Sequence, residues 1–140
     1  MDKVLFDTDI ILDCFFDRKP FSEFSWKVFT MAEVNQIKAF ITPVICANLY
    51  YLLRRNASHE KVIEKLSQLL LIVDVISMDK HTIINALVSD FKDFEDALQN
   101  FAAINEGSVN IILTRNIKDY KKSTLSVMTP ESYLSLKSMS

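Results

Sequence analysis

The sequence predicts an α/β fold: a single domain with a five-stranded parallel sheet covered by helices on both faces. Three observations carry this. Short apolar runs alternate with stretches of helically spaced apolar positions along the whole chain, the pattern of a parallel sheet with crossover helices. Two runs at opposite ends, Val4-Leu5-Phe6 and Ile111-Ile112-Leu113, stop on polar and acidic residues, as buried strands do where they deliver side chains to a site. And 49% of the 140 residues are hydrophobic, enough to fill one core and too many for disorder.

The elements follow in order. Residues 3–7 read as a buried strand, with Ile10, Ile11, Cys14 and Phe15 at helical spacing after it. Pro20 opens a second helix with an apolar stripe of Phe21, Phe24, Val28, Met31 and Ala32. Residues 38–42 form the second strand, and Pro43 starts a helix carrying Val44, Ile45, Asn48, Tyr51 and Leu52. Ser58 is an N-cap for the helix of Val62, Ile63, Leu66, Leu69 and Leu70. Residues 73–76 give a third strand, and Asp79 caps a helix containing Ile83, Ile84 and Leu87. Residues 93–106 form a longer helix stopped by Gly107 in the C′ position. Residues 109–113 and 126–128 are the last two strands, and Thr129-Pro130-Glu131 starts a final helix with Tyr133 and Leu134.

Composition narrows the chemistry. Gly107 is the single glycine, which excludes glycine-rich phosphate loops. The formal charge of −2 excludes a polycation that coats nucleic acid, leaving local basic clusters at Arg54-Arg55 and at Arg115, Lys118, Lys121 and Lys122. Cys14 and Cys46 sit in apolar helical surroundings and read as reduced, buried thiols. The first residues lack a signal-peptide pattern, and no apolar stretch reaches the roughly 18 residues of a membrane span, so a cytoplasmic protein with no membrane partner is expected.

The candidate site residues are mainly carboxylates. Asp7 ends the first strand and reads either as a cation ligand or as a helix N-cap; Asp9 and Asp13 lie one turn apart just beyond. Asp93, Glu95 and Asp96 crowd the start of the long helix, where the dipole favours acids in any case. On an ideal wheel, Asp93 and Glu95 flank the apolar stripe of Phe94, Ala97, Leu98, Phe101 and Ala102, and Asp96 points away from it. Thr114, Asn116 and Asp119 follow the fourth strand and either close a turn or complete an acidic pocket. Carboxylate oxygens are the ligands that hard cations such as Mg²⁺ take. His59 and His81 lie far apart on polar helix faces and suggest no nucleophile and base.

These residues carry a resemblance. Leu5-Phe6-Asp7-Thr8-Asp9-Ile10-Ile11-Leu12-Asp13, Asp96-Ala97-Leu98 with Ala102, Ala103 and Gly107, and Thr114-Arg115-Asn116-Ile117-Lys118-Asp119-Tyr120 stand in the order of three PIN-domain motifs. The chain resembles that family, the metal-dependent nuclease fold of VapBC-type toxins. The resemblance spans residues 1–136, leaving 137–140 as a C-terminal tail. It implies cleavage of RNA with Mg²⁺ or Mn²⁺ as cofactor, and a small antitoxin protein as partner. Asp7, Asp96 and Asp119 would be the catalytic carboxylates and metal ligands. Asn48 would join them as a ligand, standing where toxin-like members place a glutamate. Thr8, Asn116, Arg115 and Lys118 would bind substrate. The family match, not the wheel, selects Asp96 over Glu95 and Asp93. Residues 43–70, rich in Leu and Tyr, offer a homodimer surface. The alternative is a non-catalytic PIN-like module that binds RNA or protein through a degenerate metal site, because an amide at position 48 brings no charge.

Overall fold

The computed structural model describes residues 1–139. The chain runs β1 (Lys3–Phe6), α1 (Thr8–Phe15), α2 (Phe21–Glu33), β2 (Lys38–Ile41), α3 (Pro43–Arg54), α4 (His59–Leu69), β3 (Asp74–Val75), α5 (Lys80–Leu87), α6 (Phe94–Glu106), β4 (Ile111–Leu113), a 3-10 turn (Ile117–Tyr120), β5 (Ser126–Met128) and α7 (Pro130–Ser138). All five strands are parallel, in the order β3-β2-β1-β4-β5.

That order makes β1 the central strand with β4 beside it, and the chain reverses its direction of travel across the sheet between them. The register pairs Phe6 with Leu113, so the residues that follow each strand emerge side by side. A switch point of this kind leaves a crevice beyond the strands' carboxyl ends, where ligands of open α/β sheets bind. Val4, Leu5 and Phe6 are inaccessible to solvent, which requires cover on both sheet faces.

The helices begin where their sequences direct. The side chains of Asp7, Thr42, Ser58, Asp79, Asp93 and Thr129 each accept a backbone N–H in the first turn that follows. Gly107 closes α6 at φ +88°, a left-handed conformation that L side chains rarely adopt.

Several expectations need correction. The stripe of α2 is rotated. Ser22, Ser25, Val28, Phe29 and Ala32 are its buried residues, while Phe21 is exposed. Phe29 packs on Phe6 with ring centroids 5.2 Å apart, and Phe21 faces the Arg115 guanidinium at 4.2 Å. Pro20 precedes the helix as its cap rather than entering it. The wheel reading of α6 holds for Ala97, Leu98 and Ala102, which are buried, but the buried face is broader than the stripe. Gln99, Asn100 and Ala103 are buried and Phe94 is exposed, so the face carrying Asp96, Asn100 and Ala103 turns inward. Polar residues that bond internally can line a core. Gln99 accepts from Thr42, and Asn100 accepts from Ser123. The last helix continues through Ser138, past the expected start of the tail at 137, and Ser140 lies outside the described residues. Both cysteines are free; Cys14 is buried and Cys46 half-buried. Burial pushes the Cys14 thiol up to about 12, so it stays protonated. No helix among the described residues is long and apolar enough to cross a membrane.

Candidate active site

Asp7 leaves β1 as the N-cap of α1. The Thr8 backbone N–H donates to its Oδ1 at 2.9 Å, and the Thr114 hydroxyl, from the end of β4, donates to its Oδ2 at 2.9 Å. Thr114 is fully buried and also accepts the Asn116 backbone N–H at 3.1 Å. The two adjacent strands thus fix one carboxylate through one hydroxyl. The capping reading of Asp7 and the site reading are both met by the same side chain. Burial raises the pKa of Asp7, partly offset by the bonds from Thr114 and Thr8.

Around Asp7 opens a cavity of about 480 Å³. Its walls include Thr8, Asn48, Glu95, Asp96, Asn116 and Asp119. Asp93, which caps α6 by accepting the Asp96 N–H at 3.0 Å, lines it as well. Asp96 is pushed up to about 7, first by burial and then by the charges of Asp7, Asp93 and Asp119. Beneath it lies Tyr120, fully buried, with its hydroxyl beside Asp7 and Asp96 but without a well-formed hydrogen bond among the described residues. Burial, and then the charges of those two carboxylates, raise the phenol's pKa, so it stays neutral.

The structure brings together most of the residues that the sequence nominated. Asp7, Thr8, Asn48, Asp96, Asn116 and Asp119 share this one cavity. Lys118 lines a neighbouring cavity that shares Asp96 and Asp119. Arg115 departs from expectation. Its guanidinium lies 3.4 Å from Asp13 and 3.9 Å from Asp9, and it lines a separate pocket with Phe21, Phe24 and Glu131. Asp13 is fully buried and Arg18 is its other cation, at 3.7 Å, so Arg115 is occupied in neutralising a core carboxylate.

Three residues at the site, Tyr51, Arg55 and Tyr120, escaped sequence reasoning as site residues. Tyr51 and Arg55, one turn apart, complete the cavity wall from α3 and its cap; Arg55 was visible only as half of a basic pair. Tyr120 stood in the third motif as an aromatic. Glu95, a candidate whose part in the site the sequence left open, accepts from Asn48 Nδ2 at 3.0 Å. An amide facing an acid, forty-seven residues apart in sequence, leaves no local pattern to read.

The donor set fits a hard divalent cation. Asp7, Glu95, Asp96 and Asp119 present oxygens to one space, and among the described residues none of the four makes an ion pair. Among the described residues, the buried Tyr120 hydroxyl beside two of them is a further polar group without a well-formed hydrogen bond. Among the described residues no three His, Cys, Asp or Glu side chains converge closely enough to cage an ion unaided. The carboxylates ring the cavity, so water or substrate would complete a coordination shell, the usual habit of Mg²⁺.

The fold and site define an α/β protein with a carboxylate pocket at the switch point of a parallel sheet. A family profile described as the PIN domain matches residues 3–118. The chain belongs to the PIN domain family. It is 25% identical over 137 residues to Ribonuclease VapC1 of Aquifex aeolicus (strain VF5), covering 94% of this chain and 93% of that protein. Among solved structures it is similar to VapBC2 from Rickettsia felis bound to a DNA fragment from their promoter, at TM-score 0.63 and 16% identity over 90% of this chain and 96% of that one. VapBC-1 from nontypeable Haemophilus influenzae matches at TM-score 0.66 and 15% identity, over 92% and 98%. A toxin-antitoxin complex from Klebsiella pneumoniae matches at 0.65 and 19%, over 91% and 97%.

Proposed function

We propose that the chain is a Mg²⁺- or Mn²⁺-dependent endoribonuclease, the toxin of a toxin–antitoxin pair. The observation that carries this is the set of unpaired carboxylates from β1, α6 and the turn after β4 around one cavity, in a chain of this family. Asp7, Asp96 and Asp119 would hold the ion, and Glu95, steadied by Asn48, supplies the fourth carboxylate.

Such an ion supplies Lewis acidity, polarising a phosphodiester and activating water at neutral pH. The chain's own residues do the rest. Thr114 and the Thr8 N–H hold Asp7 in one orientation. Asp96, with a pKa of about 7 in the ion-free chain, would give up its proton as the ion binds. Thr8 and Asn116 offer hydrogen bonds at the cavity wall, and Arg55 and Lys118 offer positive charge to phosphate oxygens.

The test is purified protein with single-stranded RNA and Mn²⁺ or Mg²⁺, beside Asp7→Asn. Cleavage is expected from the natural chain alone and is stopped by a chelator. Equal cleavage by both proteins would mean a contaminating nuclease and defeat the assignment. The antitoxin half of the reading draws on the VapBC complexes that share the fold. A small adjacent gene whose product co-purifies with the chain supports it. Residues 43–70 expose Tyr51, Ile63 and Leu70, and light scattering would detect a homodimer formed through them.

A second reading is favoured by two observations, the amide at Asn48 and, among the described residues, the lack of a tight three-acid cage. On that reading the module binds RNA or protein without cutting. Calorimetry separates the two: no Mn²⁺ uptake at millimolar concentration selects the non-catalytic module.

A further inference from the structure

A second cavity, of about 400 Å³, adjoins the carboxylate pocket and shares Asp93, Asp96 and Asp119 with it. Its far wall is different in kind. Lys92, Lys118, Lys121 and Lys122 line it, with Phe91 as its aromatic surface. Among the described residues none of these four lysines makes an ion pair, although four aspartates line the same space. The ammonium groups are therefore not spent on the acids beside them. Formally four lysines balance Asp90, Asp93, Asp96 and Asp119, so a divalent cation held by the shared carboxylates would turn the cavity net positive. Phe91 is held edge-on by Tyr120 at 6.3 Å and Phe101 at 6.0 Å, which gives it a fixed ring. The volume falls within the roughly 300–1,000 Å³ of small-ligand sites. On the other side of the acids stand Arg55 and Tyr51, the latter 70% exposed. Cation and aromatic thus flank the carboxylates on both sides, the arrangement that tracks a single strand by its backbone and stacks its bases.

We infer that the lysine-lined cavity is a nucleotide subsite, holding the phosphates and one unpaired base of RNA immediately beside the carboxylate pocket. The inference rests on the ribonuclease reading above. Stacking on a side chain takes a base that is splayed out of a duplex, so the ligand is single-stranded.

The test is fluorescence anisotropy of a labelled single-stranded RNA across a range of salt concentrations, with Ca²⁺, another oxygen-seeking cation, in place of Mn²⁺. Each phosphate contact on a single strand contributes about 0.7 to the slope of log affinity against log salt. Lys121→Gln with Lys122→Gln should therefore lower that slope by about 1.4, and leave Mn²⁺ uptake by calorimetry unchanged. Lys61→Gln with Lys80→Gln, on α4 and α5, should change neither. Phe91→Leu should weaken binding at an unchanged slope; unchanged affinity would remove the base from the subsite. If the natural chain binds and cleaves RNA but the Lys121/Lys122 variant keeps its slope and affinity, the subsite is wrong and the ribonuclease reading stands. If that variant also loses Mn²⁺ uptake, the lysines support the acids rather than RNA, and the subsite is again overturned. If the natural chain neither binds nor cleaves RNA, the ribonuclease reading falls and the subsite with it.

Discussion

Position 48 shows how one side chain changes the meaning of another. An amide there brings no charge, but its N–H₂ draws Glu95 across the cavity at 3.0 Å, so a carboxylate stands close to where one was missing. Losing the outer-shell partner of a ligating carboxylate typically costs about 10–100-fold in metal affinity. Asn48→Ala should weaken Mn²⁺ binding by about tenfold, the low end of that range, and Glu95→Gln should weaken it at least as much. Calorimetry on both variants decides the matter, and unchanged affinity in Glu95→Gln would remove Glu95 from the site. Asp96 gives a second prediction at this scale. Its folded pKa is about 7, against the ordinary carboxylate value of 3.8 that applies once the chain unfolds. Between those pH values the folded chain holds a proton that the unfolded chain releases. Stability of the ion-free protein therefore falls as pH rises from about 4 to about 7, and Asp7, raised in the same direction, adds to the trend. The melting temperature without divalent ions should be higher at pH 5.5 than at pH 8. Asp96→Asn should raise it at pH 8 and shrink the difference; a variant with the full difference retained would refute the cause assigned here.

At the scale of elements, legibility in the sequence followed the kind of force involved. Strands, caps and the Gly107 stop were readable because apolar runs, capping oxygens and a left-handed φ leave local signatures. The rotated face of α2 and the full breadth of the buried face of α6 were not, because hydropathy ranks a residue by type and not by partner. Gln99 and Asn100 enter the core by bonding Thr42 and Ser123, and Phe21 leaves it for Arg115. Asp7 and Asp119 were legible from their places after two strands, whereas Asp96 was nominated by the family resemblance against the wheel, and the three share one cavity. Arg115 was misplaced because nothing in the chain's order reveals that Asp13 is buried and needs a cation. The α2 correction is measurable. Phe29 is buried against Phe6, so Phe29→Ala should cost about 3–5 kcal/mol in urea unfolding. Phe21→Ala should cost clearly less, as expected at an exposed position. The reverse order would restore the stripe centred on Phe21.

The whole molecule couples its site to its stability, because residues that crowd the pocket also follow β1 and β4. Asp7 is fixed by Thr114 across the β1–β4 seam, and Asp96 lies over buried Tyr120. Repulsion among Asp7, Asp93, Asp96 and Asp119 acts in the folded chain and is relieved when unfolding separates them. A divalent cation held by Asp7, Asp96 and Asp119 would bind the folded state only, and would stabilise it by RT ln(1 + [L]/Kd), about 2.7 kcal/mol at a hundredfold excess over Kd. Mn²⁺ should therefore raise the melting temperature in a concentration-dependent way, and a chelator should reverse the gain. Ligating carboxylates must lose their protons, so the gain should be larger at pH 8 than at pH 5.5, opposite in sign to the ion-free trend. Asp7→Asn should abolish most of it. A melting temperature indifferent to Mn²⁺ at pH 8 in the natural chain would show that the carboxylates hold no ion, and would shift the balance to the non-catalytic module.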